Sequence, residues 1–312
     1  MIATSKTDND LYDYFNRCYW SRQLGKSPRT KRLYLLTLDR LGDFLRRPPT
    51  LDDLNDETVC AFLSHRLEEG LAPHTVDKER DKLLALANFA AKKRHIEQFL
   101  DVPPIRPAKI IPRCWRQDHV TMLLNACRAT CGAIGGAPAG DWWYAFHAVA
   151  LTTGERTEAL LALRWEWFDG RYLHVPAEVR KGGRTPMVYD LPSEACAAIE
   201  NLRGKTEGLI FAVQWARGHK SGSFYRHYKK LLERAGLPTG RRFKPQCLRR
   251  TFASHLEAAG GDATQALAHT DRKTTVGSYL DRSVTDAGKT GAGAIVSQAL
   301  GLDYRAASLA SP

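Results

Sequence analysis

A short proline-rich segment, residues 101–113, divides the sequence into two stretches of different character. It consists of DVPPIRPAKIIPR, with four prolines and three basic side chains. Proline removes a backbone donor and fixes φ, so we expect an extended, semi-stiff linker. A chain of 312 residues is long enough for two ordinary domains, each with its own core. The segment therefore predicts a first domain over residues 1–100 and a second over residues 114–312.

The first domain has the apolar spacing of helices from residue 10 to about residue 100. In the first helix Ser27 is the expected N-cap, with Pro28 behind it. The apolar positions that recur at helical spacing in this helix are Leu33, Leu36, Leu41, Phe44 and Leu45. We expect this stripe to face the core of the domain.

Two more helices are predicted before the linker. Asn55 is the expected cap of the second helix, which ends at Gly70, and Thr75 is the expected cap of the third. The buried stripe of the third helix is expected to be Leu83, Leu84, Leu86 and Phe89. Because this half has no strand signals, the pattern predicts a small helical bundle with Lys and Arg on its outer faces.

The second domain combines helices with a hairpin. WWYAFHAVALTTGERTEALLALRW is typical of two helices broken at the Thr153-Gly154 turn. GRYLHVPAEVRKGGRTPMVYDLP has alternating and β-branched residues around Lys181, which predicts a β-hairpin. Helical segments continue to about residue 282, and residues 294–302 in the Gly- and Ala-rich tail form one further short helix in this prediction. The fold class is therefore mainly α with a small β-sheet or hairpin.

The charge of the chain points to a polyanionic partner. Its formal net charge is +12 and its sequence pI is about 9.4. Nucleic acid is the commonest polyanion that soluble basic proteins bind, although many basic proteins bind none. The charge by itself leaves both alternatives open.

The cysteines and the hydropathy pattern exclude several classes of protein. The seven cysteines are scattered and include no CxxC pair, which favours reduced thiols over a disulfide framework or a structural zinc site. No apolar run approaches the roughly 18 residues of a membrane span. The first residues lack the apolar stretch of a signal peptide. We therefore expect a cytoplasmic protein with no membrane partner.

Three segments of the second domain carry residues suited to chemistry. Arg156 follows Gly154 in TTGERTEALLALRW, and Lys181 lies at the turn of the predicted hairpin. The third segment, KPQCLRRTFASHLEAAGGDATQALAHTDRKTTVGSYLDR, contains Arg249, His269 and Tyr279. Each residue alone has an ordinary alternative, such as a solvated surface charge or a half-buried helix tyrosine. Their joint order is what requires an explanation.

That order and spacing resemble the tyrosine recombinase, or phage integrase, family. The family pattern is TGxR…ELLxLxW, a hairpin lysine, HxLRHTFAxxL and GHxxxxTTxxYxx. The chain has TGERTEALLALRW, KGGRTPMVYDLP, QCLRRTFASHL and AHTDRKTTVGSYL at these places, and GLAPHTVDKERDKLLALANFA resembles the end of the family's helical domain. The resemblance implies a helical core-binding domain at residues 1–100 and a catalytic domain at residues 114–312.

The resemblance also implies a chemistry. Tyr279 would be the nucleophile that forms a 3′-phosphotyrosine and releases a 5′-hydroxyl, and Lys181 would be the general acid. Arg156 and Arg249 would hold the non-bridging phosphate oxygens, and His269 would donate a hydrogen bond to one of them. No metal ion, nucleotide or other cofactor is required. The implied partner is double-stranded DNA carrying recombination core sites, bound by a homotetramer of a mobile element's recombinase.

Two departures from the family pattern bear on activity. Gln246 stands where the family usually has histidine, and its amide can donate a hydrogen bond but cannot take up a proton near neutral pH. Ala159 stands where an acidic residue is usual, and Glu158 lies about 100° round the helix from that place. These departures leave open a catalytically weakened family member that acts as a DNA-binding accessory factor or repressor. A relaxing or hairpin-resolving activity of the type IB topoisomerase kind also stays open.

Basic residues on the helices and in the linker are candidates for DNA contacts. They are Lys31, Arg32, Lys78, Arg80, Lys82, Arg106, Lys109 and Arg113. Solvated helix faces have the same composition, and a basic linker is equally consistent with a plain spacer. The target sequence cannot be predicted, because base recognition depends on a few side chains and on DNA shape.

Overall fold

The computed structural model describes residues 9–106, 108, 110–182, 185–213 and 220–286, without the side chains of residues 220–223. The chain divides into two compact units, Met1–Lys109 and Ile110–Pro312. The boundary lies within the segment predicted to be a linker, and the described residues of that segment are neither helix nor strand. The short helix predicted at residues 294–302 lies outside the described part of the chain.

The first unit is helical. Its α-helices are α1 (Leu11–Tyr14), α2 (Pro28–Leu45), α3 (Asp56–Glu68) and α4 (Pro73–Lys92). A π-helical turn, Phe15–Tyr19, continues α1. Two of the predicted caps are confirmed: Ser27 Oγ accepts from the backbone amide of Thr30, and Asn55 Oδ1 accepts from that of Thr58 at 2.8 Å.

The structure corrects two details of these helices. Thr75 is not a cap, because α4 begins at Pro73, whose missing N–H costs nothing in the first turn. The predicted apolar stripe of α2 is only partly buried: Leu33 is 45% exposed and Leu36 is 40% exposed. The face of α2 with Tyr34 points inward instead, and Tyr34 stacks on Phe15 with ring centroids 5.5 Å apart.

Helix α4, which corresponds to the third predicted helix, also buries a partly different set of residues from the one predicted. Leu83 and Leu86 lie in the core, whereas Leu84 and Phe89 are half-buried and Ala87 and Ala90 take the inner positions. Small residues at these places let α4 approach its neighbours closely. The apolar residues in the sequence of a helix therefore predict a wider buried face than the structure has.

A buried carboxylate ties three helices of this unit together. Glu79 of α4 is buried and receives hydrogen bonds from Arg40 of α2 and from Arg66 of α3, whose Nε lies 3.1 Å away. Removing one partner of such a group leaves an uncompensated buried charge, at a typical cost of about 3–5 kcal/mol. The helices are thereby held in one arrangement.

The second unit is also mainly α, which confirms the predicted fold class. Its first elements are α5 (Gln117–Arg128), β1 (Ala133–Ile134), β2 (Ala137–Pro138), α6 (Ala139–Thr153), α7 (Thr157–Leu160), β3 (Tyr172–Val175) and β4 (Met187–Asp190). The later elements are α8 (Ser193–Glu200), α9 (Lys220–Arg234), α10 (Gln246–Ala258), α11 (Ala263–Ala266), α12 (Arg272–Ser278) and α13 (Arg282–Thr285).

The predicted hairpin is present as an antiparallel pair. Strands β3 and β4 pair from Tyr172 opposite Asp190 to Val175 opposite Met187. The connection between them is longer than a tight turn, since it contains a 3₁₀ turn, Ala177–Val179. The two-residue strands β1 and β2 form a second antiparallel sheet that the sequence pattern did not predict.

Helix α6 forms the centre of the second unit. It packs against α5, α8 and α10, and its Trp142 and Phe146 stack with ring planes 3° apart. A smaller apolar cluster joins Leu267 to Tyr279 and Leu280. The C-terminal end of α6 and the N-terminal turn of α10 carry the candidate site.

None of the helices in the described part of the chain is both long and apolar enough to cross a membrane.

Candidate active site

The turn after α6 sets the position of Arg156. Helix α6 ends at Gly154, which has φ +64°, and a Cβ at this position would lie 2.3 Å from Phe252 Cδ1. Only glycine combines this backbone conformation with so close an approach. Arg156 is then the N-cap of α7, and its backbone N–H donates to Glu155 Oε2 at 3.1 Å. The predicted break at Thr153-Gly154 is confirmed.

Arg249 of α10 lies at the bottom of the site and is 1% exposed. Its Nη1 donates to the Gly154 carbonyl at 2.7 Å, and its Nη2 donates to the Leu267 carbonyl at 3.1 Å. Its Nε–H is buried and has no partner among the described residues. Burial, and next the charge of Arg156, lower the pKa of the Arg249 guanidinium. The side chain thus fastens the Arg156 turn to the loop before His269.

His269 lies beside Arg249 as a neutral imidazole. Arg249 Nη2 donates to His269 Nε2 at 3.0 Å, because a guanidinium carries no acceptor. The proton must therefore be on Nδ1, which donates to Thr275 Oγ1 at 2.9 Å. Burial, and next the Arg249 and Arg156 charges, lower the pKa of His269 to about 4. For the predicted donation to a phosphate oxygen, Nε2 would have to leave Arg249 and take up the proton.

Tyr279 closes one side of the cluster. It lies at the end of α12, is 9% exposed, and has its ring centroid 4.7 Å from that of His269. The Cζ atom of Arg249 lies 5.4 Å from the Tyr279 ring centroid. Gln246, one helical turn before Arg249, donates from Nε2 to Tyr279 Oη at 3.2 Å. The structure therefore brings Gln246, Arg249, His269 and Tyr279 together, as the sequence order predicts.

Arg156 is linked to this cluster through its charge, which acts on Arg249 and His269. Arg249 binds the Gly154 carbonyl, two residues before Arg156 in the chain, and the charge of Arg156 lowers the pKa of both Arg249 and His269. The guanidinium of Arg156 has no hydrogen-bond or ion-pair partner in the described part of the chain. It is therefore available to an anion at the mouth of the site.

Lys181 is not in contact with the cluster. It is exposed in the turn of the β3–β4 connection, and no described residue bonds its ammonium group. The preceding residue, Arg180, is buried and donates from Nε to Glu155 Oε1 at 2.5 Å. Glu155 also accepts from Tyr189 Oη at 2.7 Å. The sequence pattern did not identify Glu155, Arg180 or Tyr189 as part of the site. The one available signal was Glu155 itself, a charged residue between Gly154 and Arg156.

The second departure from the family pattern has a clear structural position. Ala159 is buried in α7, and Glu158 is exposed on another face of that helix. The carboxylate nearest in the chain to Arg156 is instead that of Glu155, on the N-terminal side. No group of three or more potential metal ligands comes together within the described ranges.

The basic residues of α4 are mostly engaged within the first unit. Lys78 forms an ion pair with Asp81 at 2.7 Å, and Lys82 Nζ donates to the Lys78 carbonyl at 2.6 Å. The guanidinium of Arg80 donates to the Val102 carbonyl, with Nε 3.0 Å from the oxygen. Arg80 thus has an internal role that the sequence did not reveal. The contacts of all three with DNA stay predictions.

The remaining basic candidates are more accessible. Arg32, Arg106 and Arg113 are exposed, and Lys31 is half-buried. Lys109 lies outside the described residues. Exposure is compatible with phosphate contacts, and these assignments also stay predictions.

Comparison with known families identifies the class of the second unit. Residues 114–285 match the model described as the Phage integrase family. This match covers more than half of the chain, so the chain belongs to the phage integrase family, the tyrosine recombinases.

Relatives and solved structures agree with this assignment. The tyrosine recombinase XerD of Rhizobium meliloti (strain 1021) is 25% identical over 276 residues, which cover 82% of this chain and 86% of that protein. The fold is similar to that of a lambda integrase (75–356) dimer bound to a COC′ core site, with a TM-score of 0.65, 18% identity and coverage of 84% of this chain and 95% of the other. A lambda integrase tetramer bound to a Holliday junction has a TM-score of 0.62 at 19% identity, with coverage of 83% and 76%.

Proposed function

We propose that the chain is a site-specific DNA recombinase, or integrase, that cleaves and rejoins double-stranded DNA through a 3′-phosphotyrosine at Tyr279. The buried guanidinium of Arg249 carries the proposal. Its partners among the described residues are two carbonyls and an imidazole, and its Nε–H has none. A buried cation that no carboxylate bonds is costly, and a DNA phosphate would supply a bonded negative charge. Arg156, two residues after the Gly154 carbonyl that Arg249 binds, is the second donor in this proposal.

In the proposed cleavage step Tyr279 Oη attacks the phosphorus, and the bond from phosphorus to the 5′ oxygen breaks. Arg156 and Arg249 hold the non-bridging oxygens, on which negative charge grows in the transition state. The Lys181 ammonium gives its proton to the 5′ oxygen, which leaves as a 5′-hydroxyl. The aryl phosphodiester keeps the bond energy, so another 5′-hydroxyl can attack it and rejoin the strand. This scheme uses side chains alone and needs neither metal ion nor nucleotide.

The phenol proton passes to water in this scheme. Gln246 contacts the Tyr279 oxygen but has no basic lone pair. Both ring nitrogens of His269 are engaged, one by Arg249 and one by Thr275. The described neighbours of Tyr279 therefore provide no free base, and a water molecule on the open side of the site is the simplest acceptor.

The assembly we propose is a homotetramer on two duplexes carrying core sites, in the cytoplasm. The net charge of +12 suits a chain that encloses DNA. The likeness in fold to a lambda integrase tetramer bound to a Holliday junction supports the same arrangement. The predicted phosphate contacts in this arrangement include Arg32 and Arg106, which are exposed.

One observation favours a second candidate function. With Gln246 at the phenol and Ala159 in α7, the chain lacks two ionisable groups that its family usually has. A member weakened in this way would bind the same DNA as an accessory factor or repressor. The two candidates differ in one product, a covalent protein–DNA adduct.

The test is a search for that adduct. Duplex fragments that cover the DNA flanking the gene, each with single nicks, are incubated with the full chain and denatured in SDS. A nick beside the cleavage point lets the short 5′-hydroxyl strand diffuse away, which traps the intermediate. We expect an adduct that resists SDS and is lost on protease treatment, and its DNA end identifies the site.

The matched control is Tyr279→Phe, which removes one hydroxyl and keeps the ring contacts with His269 and Arg249. It should bind the same fragments and form no adduct. Specific binding by the wild type with no adduct on any fragment would overturn the recombinase proposal and favour the accessory factor.

A further inference from the structure

A buried carboxylate lies between two parts of the proposed active site, the Arg156 turn and the Lys181 turn. Glu155 is 3% exposed and directly precedes Arg156. Its Oε2 accepts from the backbone amide of Arg156, and its Oε1 accepts from Arg180 Nε at 2.5 Å. Arg180 directly precedes Lys181. One ion pair therefore connects the residue before the phosphate-binding arginine to the residue before the lysine.

The same carboxylate also reaches the other side of the lysine turn. Tyr189 of β4 donates from Oη to Glu155 Oε1 at 2.7 Å. Arg180 in addition crosses the turn and donates from Nη1 to the Thr185 carbonyl at 2.7 Å. The chain on both sides of Lys181 is thus bonded to one group of buried atoms, while Lys181 itself is exposed.

The charges at this place also require Glu155. Arg180 and Arg249 are both buried, and Arg156 lies beside Arg249. Glu155 forms an ion pair with Arg180, and its charge raises the pKa of Arg249 against the effect of burial. Without this carboxylate, Arg180 would be an uncompensated buried cation, which proteins tolerate poorly. The carboxylate of Glu155 therefore balances the buried charge of Arg180 directly beside the lysine turn.

We propose that Glu155, Arg180 and Tyr189 are positioning residues that hold the Lys181 turn in register with Arg156. The inference rests on the proposed function, because the register matters only if Lys181 protonates the 5′ oxygen while Arg156 holds the same phosphate. Glu155 and Arg180 are not catalytic residues, since neither touches the reacting atoms. They determine how often the lysine is within reach of the leaving group.

The first arm of the test needs no DNA. Hydrogen exchange is measured on the peptides that cover residues 172–182 and 185–190 in the wild type and in Glu155→Gln. We expect exchange in these peptides to be at least tenfold faster in the variant, with no change over residues 117–128. Equal exchange over the hairpin would overturn the anchoring role. If the variant fails to fold, Tyr189→Phe, which removes one hydroxyl and no charge, is measured in its place.

The second arm separates positioning of the general acid from other defects. The cleavage site is prepared with sulfur in place of the 5′ bridging oxygen, so that the bond from phosphorus to sulfur breaks and a 5′-thiolate leaves. A thiolate is a far weaker base than an alkoxide and leaves without a proton. On ordinary DNA, Tyr189→Phe should form adduct roughly tenfold more slowly, as expected for the loss of a hydrogen bond to a charged group. On the sulfur substrate it should equal the wild type.

The control is Tyr172→Phe on the same hairpin, because Tyr172 is on the facing strand and partly exposed. It should match the wild type on both substrates. A defect of Tyr189→Phe that persists on the sulfur substrate would overturn the positioning role. If the wild type forms no adduct on any DNA, the proposed function fails, and the exchange measurement alone decides whether Glu155 anchors the hairpin.

Discussion

At the scale of the residue, Gln246 has the most informative position. It is the first residue of α10, and its amide holds the oxygen of Tyr279 at 3.2 Å. An amide can orient a phenol but cannot accept its proton near neutral pH. In the proposed reaction the nucleophile is therefore well placed, while its proton must leave by another route. Substitution of Gln246 tests whether orienting the phenol and accepting its proton are separate roles.

Gln246→His should keep or raise the rate of adduct formation. An imidazole at this place keeps a donor toward the phenol and adds a lone pair that takes up a proton near neutral pH. The rate is measured on the site recovered from the adduct search. Gln246→Ala is the control and should be about tenfold slower, since it removes the hydrogen bond. A clear loss of rate in Gln246→His would show that the amide has a role of its own.

His269 predicts a specific dependence of stability on pH. Its pKa is about 4 in the folded chain, against an ordinary value of 6.5. Between these values the unfolded chain binds a proton that the folded chain does not, so stability falls as the pH is lowered from 6.5 toward 4 and is unaffected above 6.5. Buried His147, with a pKa of about 4, acts in the same direction.

The comparison of wild type with His269→Asn isolates the contribution of His269. Urea unfolding at pH 7.5 and at pH 4.5 gives the loss of stability on acidification for each protein. We expect a smaller loss in the variant, with the remainder due to His147 and the carboxylates. Equal losses would contradict the neutral imidazole that accepts from Arg249.

At the scale of the element, local signals predicted helix starts better than helix faces. Ser27 and Asn55 could be predicted as caps, because capping depends on a few neighbouring residues. The buried face of α2 could not, because an aromatic contact from Tyr34 to Phe15, distant in sequence, decides it. The contact of Glu155 with Arg180 was missed for the same reason. By contrast, the family resemblance was enough to predict that Gln246, His269 and Tyr279 lie with Arg249, although Lys181 is not in contact with them.

The turn after α6 is the element on which the Arg156 position depends. Gly154→Ala should cost more stability than Gly170→Ala, although both glycines have positive φ. At Gly170 a Cβ meets nothing within 4 Å, whereas at Gly154 it would lie 2.3 Å from Phe252 and 2.8 Å from Leu267. We expect urea unfolding to show that the free energy of unfolding falls by about 1 kcal/mol in Gly170→Ala and by about 3 kcal/mol in Gly154→Ala. Equal costs would mean that the site tolerates a shift of this turn.

At the scale of the whole molecule, each of the two units has its own core, and the chain is strongly basic. The proline-rich segment and the apolar spacing were enough to predict two mainly helical parts, whereas the charge alone left the partner open and DNA was implied by the family resemblance. The DNA sequence could not be predicted, since it depends on which exposed side chains reach the grooves. Family membership supports site-specific recombination, and the phosphotyrosine at Tyr279 is the central claim of the proposed mechanism.

The most direct test of that claim is mass spectrometry of the trapped adduct. After nuclease and trypsin digestion, Tyr279 lies in the peptide of residues 274–282. We expect this peptide to carry a nucleotide joined through its 3′ phosphate to the Tyr279 oxygen, and the released strand to end in a 5′-hydroxyl. A nucleotide on another residue, or one joined through a 5′ phosphate, would contradict it.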